Sequence, residues 1–229
     1  MNLGKSKPSA ASTYEDLQVA DSSIQEGSQL YRRFAKRVLD IVLVMLFAPM
    51  ALLIVGASVL AIMMDGGKPI YFQYRIGKNG RKFRMYKLRT MVLDADEQLE
   101  SYLAEHPQER EEWRLNQKLK VDPRVTAFGR ILRKTSMDEL PQLFNVLKGE
   151  MSIVGPRPMM DGQQKLYPGN VYYKMKPGLT GYWQISARND CQFRDRAVYD
   201  AQYYREMSLA TDLLVLLKTV GPVIRGAGH

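Results

Sequence analysis

Between Val38 and Met64 the sequence carries 27 residues with a single charge, Asp40. As a helix, such a run is roughly 40 Å long, more than the ~30 Å of a bilayer's hydrocarbon core. A chain containing it must fold around a membrane-embedded segment. The flanks constrain how that segment sits. Arg32, Arg33, Lys36 and Arg37 precede it, and Lys68, Arg75, Lys78, Arg81, Lys82, Arg84, Lys87 and Arg89 follow. Positive charge marks the cytoplasmic side, and both flanks ask for that side. Pro49, near the middle, removes a backbone hydrogen bond and favours a bend. A helix that enters and leaves by one face meets both demands, so a re-entrant segment broken at Pro49 is expected rather than a spanning helix.

Around this anchor three regions are expected: a disordered tail over 1–30, the re-entrant helix over 31–66, and a catalytic domain over 67–229. The tail is rich in Ser, Ala and Gln and lacks the apolar core of a signal peptide. After the anchor, "IYFQYRIGKNGRKFRMYKLRTM" reads as two strands joined at an Asn-Gly hairpin. Asp94 to about Lys120 reads as charged helix interrupted at Pro107. Val125, Phe128, Ile131 and Leu132 share one helical face, and Met137, Leu140, Phe144 and Leu147 another. Gly149 suits a C-cap, "MSIV" a buried strand, and "GPRP" a rigid basic loop. The last apolar run, Leu209 to Val220, is too short to span and is a core or interfacial helix. The fold class is α+β, mainly helical, with short strands and interfacial amphipathic helices.

Composition narrows the chemistry. Thirty-three Lys and Arg against 24 Asp and Glu leave a net charge of +9, which attracts phosphate as nucleic acid, anionic lipid or phosphorylated substrate. With one cysteine, Cys191, no internal disulfide forms. His106 and His229 are the only histidines, so no zinc spacing is available, and the sequence also holds no G-x-x-x-x-G-K-[ST] loop and no G-x-G-x-x-G after a strand. "DAD" at 94–96 matches a metal-binding Asp-x-Asp pattern, but in an acidic helical stretch it reads better as a solvated face.

What remains is "RKTSMDELPQLFNVLKG", where Asp138 and Glu139 follow Arg133 and Lys134. Ser136-x-x-Glu139 fits a capping box, Asp138 is the alternative cap, and Pro141 agrees with a nearby helix start. Asp138 in a first helical turn, beside two cations, stays ionised while the same surroundings attract phosphate. Capping alone would also account for the pair.

"KLRTM", "DPRVTAFGRILRKTSMDELPQLFNVLKGEMSIVGPRP" and "KPGLTGYWQISARND" together resemble bacterial sugar transferases of the monotopic phosphoglycosyl transferase superfamily, in particular exopolysaccharide-initiating galactosyl-phosphate transferases. The resemblance covers roughly residues 31 to 225. It implies transfer of a hexose-1-phosphate from a UDP-hexose, galactose before glucose, to undecaprenyl phosphate, with release of UMP at the cytoplasmic face of the bacterial inner membrane. The family's Asp-Glu dyad falls on Asp138 and Glu139, with the Asp as nucleophile and Mg²⁺ as cofactor held there. Its arginine before the dyad falls on Arg133, and its Pro-Arg-Pro loop on Pro156, Arg157 and Pro158. The family's membrane helix breaks at Ser-Pro, where this chain has Ala48-Pro49.

Diphosphate cleavage independently calls for cations around phosphorus oxygens and an in-line nucleophile, which a carboxylate can be. Arg133, Arg157, Lys87, Arg89 and Arg188 are therefore expected at phosphate or nucleotide, with lipid headgroups competing for Lys87 and Arg89. Trp183 and Tyr182 are expected as core or interface anchors. Partners are then UDP-hexose, undecaprenyl phosphate and membrane lipid, with a homodimer allowed and no nucleic acid. Two other classes fit less of the sequence: a glycosyltransferase moving sugar alone through Asp94 and Asp96, and a non-enzymatic basic membrane adaptor.

Overall fold

The computed structural model describes residues 29–116, 119, 121–186 and 193–224. Positions 1–28 of the expected tail, and Arg188, lie outside the described residues. A π turn, Tyr31–Ala35, leads into helix α1, Lys36–Met64. Pro49 lies inside α1 without ending it, so the apolar run is one continuous helix. The expected interruption at Pro49 is absent, because a single missing backbone donor leaves the turns on either side intact. Asp40, Val44, Ala51, Ser58 and Ile62 are buried, and their spacings of four and seven put them on one helical face. Val42, Met45, Leu46, Phe47, Met50, Leu52 and Leu53 are exposed.

The two ends of α1 are held by the same body. Near its start, Asp40 accepts hydrogen bonds from Ser152 Oγ and Ile153 N, both at 2.9 Å. Lys36 Nζ and Tyr31 Oη each lie 2.6 Å from Asp212 Oδ2, and Tyr203 donates to Oδ1 at 2.7 Å. Arg37 donates to the carbonyls of Val146 and Leu147 at 2.5 and 2.6 Å. A buried carboxylate is tolerable only when so partnered, which explains the one charge inside the apolar run. At the other end Ile62 packs with Leu88 and Leu132, and Arg89 donates to the Ile62 carbonyl at 3.2 Å.

Strands β1, Ile70–Ile76, and β2, Lys82–Leu88, pair antiparallel from Ile70↔Leu88 to Ile76↔Lys82. Asn79 takes φ 58° in the turn between them, the conformation for which the Asn-Gly signal is selected. Helices α2, Ala95–Glu105, and α3, Pro107–Asn116, follow; the break expected at Pro107 falls on His106, and Pro107 opens the second helix. Next come α4, Ala127–Lys134, and α5, Gln142–Lys148. Strand β3, Ser152–Val154, is fully buried. The short β4, Met159–Met160, adds to the free edge of β1 through Arg75↔Met160 and Ile76↔Met159. After α6, Val171–Lys174, strand β5, Gly178–Thr180, pairs parallel with β3. Helices α7, Tyr182–Ser186, α8, Arg196–Glu206, and α9, Leu209–Ile224, complete the described chain. The main core joins Val44 of α1, Phe83 and Met85 of β2, Val146 of α5, Val154 of β3 and Tyr203 of α8.

Two expected apolar faces come apart. Leu132 is buried, but Ile131 is 58% exposed. Phe144 and Leu147 are also exposed, whereas α5 buries Gln142, Asn145 and Val146. The chain makes a separate 3₁₀ turn at Met137–Glu139 before α5 begins, which resets the helical register between Met137 and Phe144. On α9, Leu209, Leu213, Leu217 and Val220 are exposed while Asp212 and Val215 are buried, an outward apolar stripe that suits an interfacial helix.

Candidate active site

The acidic pair is built where α4 ends. Thr126 caps that helix by accepting from Gly129 N at 2.9 Å, and Thr126 N donates to the Thr90 carbonyl at 3.1 Å. An added Cβ at Gly129 would lie 2.1 Å from the Thr90 carbonyl oxygen, so only glycine lets α4 come this close to the chain beyond β2. Arg133, in the last turn, donates from Nε to Thr90 Oγ1 at 2.8 Å. Ser136 then takes φ 57°, ψ 19°, and its N–H bonds the Arg133 carbonyl at 3.0 Å. This left-handed residue closes α4, a position that usually takes Gly. The expected capping box is not formed: Ser136 makes no side-chain cap bond, and Glu139 turns to Lys87 instead.

Asn145 registers this turn against the sheet. Its Oδ1 accepts from Tyr86 N at 3.1 Å and its Nδ2 donates to the Arg84 carbonyl at 2.6 Å, so one buried amide stands in for a neighbouring strand. That sets Lys87 beneath the pair: Nζ lies 2.7 Å from Glu139 Oε1 and 3.6 Å from Asp138 Oδ2. Asp138 is 7% exposed. Its carboxyl is held above the usual range, burial being the largest cause, with Lys87 and Arg133 pulling it back and Glu139 pushing the same way as burial. Burial also pushes Glu139 up, but Lys87, Arg157 and Arg75 together outweigh it and leave its carboxyl below the usual range. Two adjacent acids therefore differ: one firmly ionised anchor and one carboxylate whose charge is less fully compensated.

The Pro-Arg-Pro loop is clamped on both sides. Gly155 N donates to the Thr180 carbonyl, and Gly178 N to the Pro156 carbonyl, both at 2.8 Å. An added Cβ at Gly178 would lie 2.1 Å from Gly155 N. Met159 N donates to Tyr172 Oη at 3.1 Å. Arg157 is exposed between these clamps, its guanidinium 5.7 Å above the Trp183 ring, with that of Arg196 at 4.2 Å from the same ring. Trp183 and Tyr182 are both buried, as expected of anchors.

Asp138, Glu139, Lys87, Arg133 and Arg157 thus converge. Arg89 does not: it joins Asp65, Met91, Leu93, Thr126 and Phe128 around a cleft of about 500 Å³ at the end of α1. Asp94 and Asp96 are exposed, and among the described residues no group of three or more His, Cys, Asp or Glu side chains could hold a metal. Sequence reasoning missed Thr90, Asn145 and Arg75, whose guanidinium lies close enough to Glu139 to lower its pKa. Only Arg75 left a signal, as one of many basic flank residues.

The chain matches the bacterial sugar transferase family over residues 31–226. It is 45% identical over 200 residues to exopolysaccharide production protein ExoY of Rhizobium meliloti, covering 85% of this chain and 87% of that one. Over 198 residues it is 44% identical to UDP-galactose-lipid carrier transferase of Erwinia amylovora, covering 86% of this chain. Over 203 residues it is 46% identical to undecaprenyl-phosphate galactose phosphotransferase of Salmonella typhimurium, again covering 86% of this chain. The match spans only 42% of each of these two longer proteins. With the dyad, its basic surround and the Pro-Arg-Pro loop all inside the matched region, the chain belongs to the bacterial sugar transferase family.

Proposed function

We propose that this chain is a phosphoglycosyl transferase that moves a hexose-1-phosphate from a UDP-hexose to undecaprenyl phosphate and releases UMP, the first membrane step of exopolysaccharide synthesis. The observation that carries the reading is a nearly buried carboxylate, Asp138, beside a second, ionised one and faced by Lys87 and Arg133. An Asp138 oxygen attacks the sugar-bearing phosphorus, the phosphorus–oxygen bond to UMP breaks, and UMP leaves with the electron pair. The phosphate oxygen of the lipid then attacks the same phosphorus and the Asp138 carboxylate departs. Lys87, Arg133 and Arg157 offset charge developing on the phosphoryl oxygens. Galactose is the favoured hexose, with glucose next, because two of the similar proteins carry galactose in their names.

The pair also fits Mg²⁺. Two hard carboxylates plus substrate phosphate oxygens form the usual shell of this ion, which binds through one or two acids. Asp138 and Glu139 would hold it, and when bound it would neutralise phosphate charge. The reaction belongs at the cytoplasmic face of the inner membrane, a reading supported by the basic flanks of α1 and by its attachment to one body at both ends.

The test is UMP release from purified full-length chain given UDP-galactose or UDP-glucose without lipid. Up to one equivalent of UMP, together with the mass of a hexose phosphate on Asp138, is expected. Asp138→Asn should give neither. With undecaprenyl phosphate added, release of UDP instead would mean that sugar alone is moved, and no turnover of any UDP-sugar would leave a non-enzymatic adaptor.

A further inference from the structure

Arg75 sits in β1, where its backbone pairs with Met160 just beyond the Pro-Arg-Pro loop. Its guanidinium is half-buried and already committed on one side. Nη2 donates to Gln73 Oε1 at 2.5 Å, and Nη1 reaches the Pro158 carbonyl at 3.4 Å. Nε is buried with no hydrogen-bond partner, and a buried donor left unmade costs about 1–3 kcal/mol. No carboxylate forms an ion pair with Arg75 among the described residues. Its pKa is pushed down to about 10 by burial and then by Arg157, while Glu139 and nearby tyrosines pull the other way. Glu139 already has Lys87 at 2.7 Å, so Arg75 is a surplus cation at this site. Lys87, Arg75, Arg133 and Arg157 face Asp138 and Glu139, an excess of two positive charges where a diphosphate brings negative ones.

We infer that Arg75 is a substrate-binding residue whose remaining Nη N–H groups take an oxygen of the nucleotide diphosphate, together with Arg157. The Nη1 contact to the Pro158 carbonyl, 3.4 Å long, places the Arg75 guanidinium beside the residue that follows Arg157. Arg75 also joins the β-hairpin to the loop, so substrate phosphate would draw together elements far apart in sequence. Planar guanidinium suits this duty because it can hold Gln73, Pro158 and a phosphate oxygen at once, which a lysine ammonium on a flexible stem does poorly.

The identity of the ligand rests on the transferase reading, but the anion site can be tested without turnover. Calorimetric titration of the detergent-solubilised full chain with pyrophosphate, UDP and uridine separates the contributions. Arg75→Met should weaken pyrophosphate and UDP about tenfold or more, equivalent to about 1.4 kcal/mol, and leave uridine unchanged. Arg75→Lys should recover part of that loss and remain roughly threefold weaker than wild type, since the fork is gone. Should Arg75→Met fail to fold, the lysine variant decides, and wild-type pyrophosphate affinity there overturns the inference. Unchanged pyrophosphate affinity in Arg75→Met, or an equal loss for uridine, also overturns it. Arg75-dependent pyrophosphate binding in a chain that releases no UMP would sink the transferase reading alone. UMP release with Arg75-independent pyrophosphate binding would sink only the inference.

Discussion

In the proposed reaction Asp138 attacks phosphorus as its anion, and its surroundings pull on that ionisation in opposite directions. Burial and Glu139 raise its pKa, while Lys87 and Arg133 lower it. Because the anion is the reactive form, the UMP burst should fall with acid at a pH above the ordinary carboxylate range. Lys87→Met removes the larger of the two cationic counterweights. It should move that acid limb to higher pH and slow the burst about 100-fold, the scale of losing one preorganised donor. An unmoved limb in stopped-flow UMP measurements would exclude Lys87 as the group that holds Asp138 ionised. The raised pKa also has a stability sign. A group protonated more readily in the folded state stabilises it fully below the unfolded pKa, and loses that contribution as pH rises through the folded one. Above its folded pKa wild type has lost it, whereas a neutral amide has nothing to lose. Asp138→Asn should therefore be inactive yet melt a few degrees higher than wild type at pH 8. At this scale the sequence singled out Asp138, Glu139 and Arg133, which the structure brings together. It was silent on Asn145 and Thr90, because an amide mimicking a strand and a hydroxyl holding an arginine are set by tertiary contacts no spacing encodes.

Elements bring these residues within reach through a few close approaches. Strands β3 and β5 meet at Gly155 and Gly178, where an added Cβ at Gly178 would lie 2.1 Å from backbone nitrogen. Backbone cannot yield as a flexible side chain can, so Gly178→Ala should push the Pro-Arg-Pro loop off its clamp. Overpacking costs about 1–3 kcal/mol, and kcat/KM for the UDP-sugar should fall with the melting temperature. A lowered melting temperature with unchanged kinetics would detach the loop's geometry from catalysis. Helix α8 carries a second marker. Asp200, buried and accepting from Tyr167 Oη at 2.9 Å, is raised to about 7 by burial, against the pull of Tyr167 and Arg196. Tyr172 also lies within its field. Its protonated form favours the fold, so this contribution is full below about pH 4, the unfolded value. It fades as pH climbs to about 7. Thermal melts of wild type should improve on going from pH 8 to pH 5, and Asp200→Asn should flatten that component. Element types were legible from periodicity, turn signals and caps. The register reset at Met137–Glu139 was not, because Ser136 adopts a left-handed conformation that its residue type does not announce.

Across the whole molecule the defining relation is between α1 and the body beneath it. Residues as distant as Asp40 and Ile62, roughly 33 Å apart along a helix, are seated on the same body, while the intervening outward face from Val42 to Leu53 is apolar and exposed. A helix crossing the bilayer would carry one of those attachments to the far side, away from its partners Ser152 or Leu88. The exposed stripe of α9 adds a second apolar surface suited to the membrane interface. Both ends of α1 should then face the cytoplasm. Charge on the flanks made this expectation legible in the sequence, but not the buried carboxylate bonds that fasten the helix, since Asp40 alone in an apolar run gives no hint of its partner. Single cysteines at Ser28 and Lys68, in a Cys191→Ser background, allow the test with an impermeant thiol reagent. Neither position should react in intact cells, and both should react once the cells are opened. Labelling of Ser28→Cys alone from outside would mean that α1 spans the bilayer. Pro49→Leu restores the missing backbone donor and favours a straighter helix. That variant should convert a fraction of molecules to outside labelling at Ser28, and those molecules should lose activity together with the Asp40–Ser152 attachment. Asp40→Asn keeps an acceptor for Ser152 and Ile153 and should leave the topology unchanged, whereas Asp40→Leu should loosen the start of α1 and increase outside labelling.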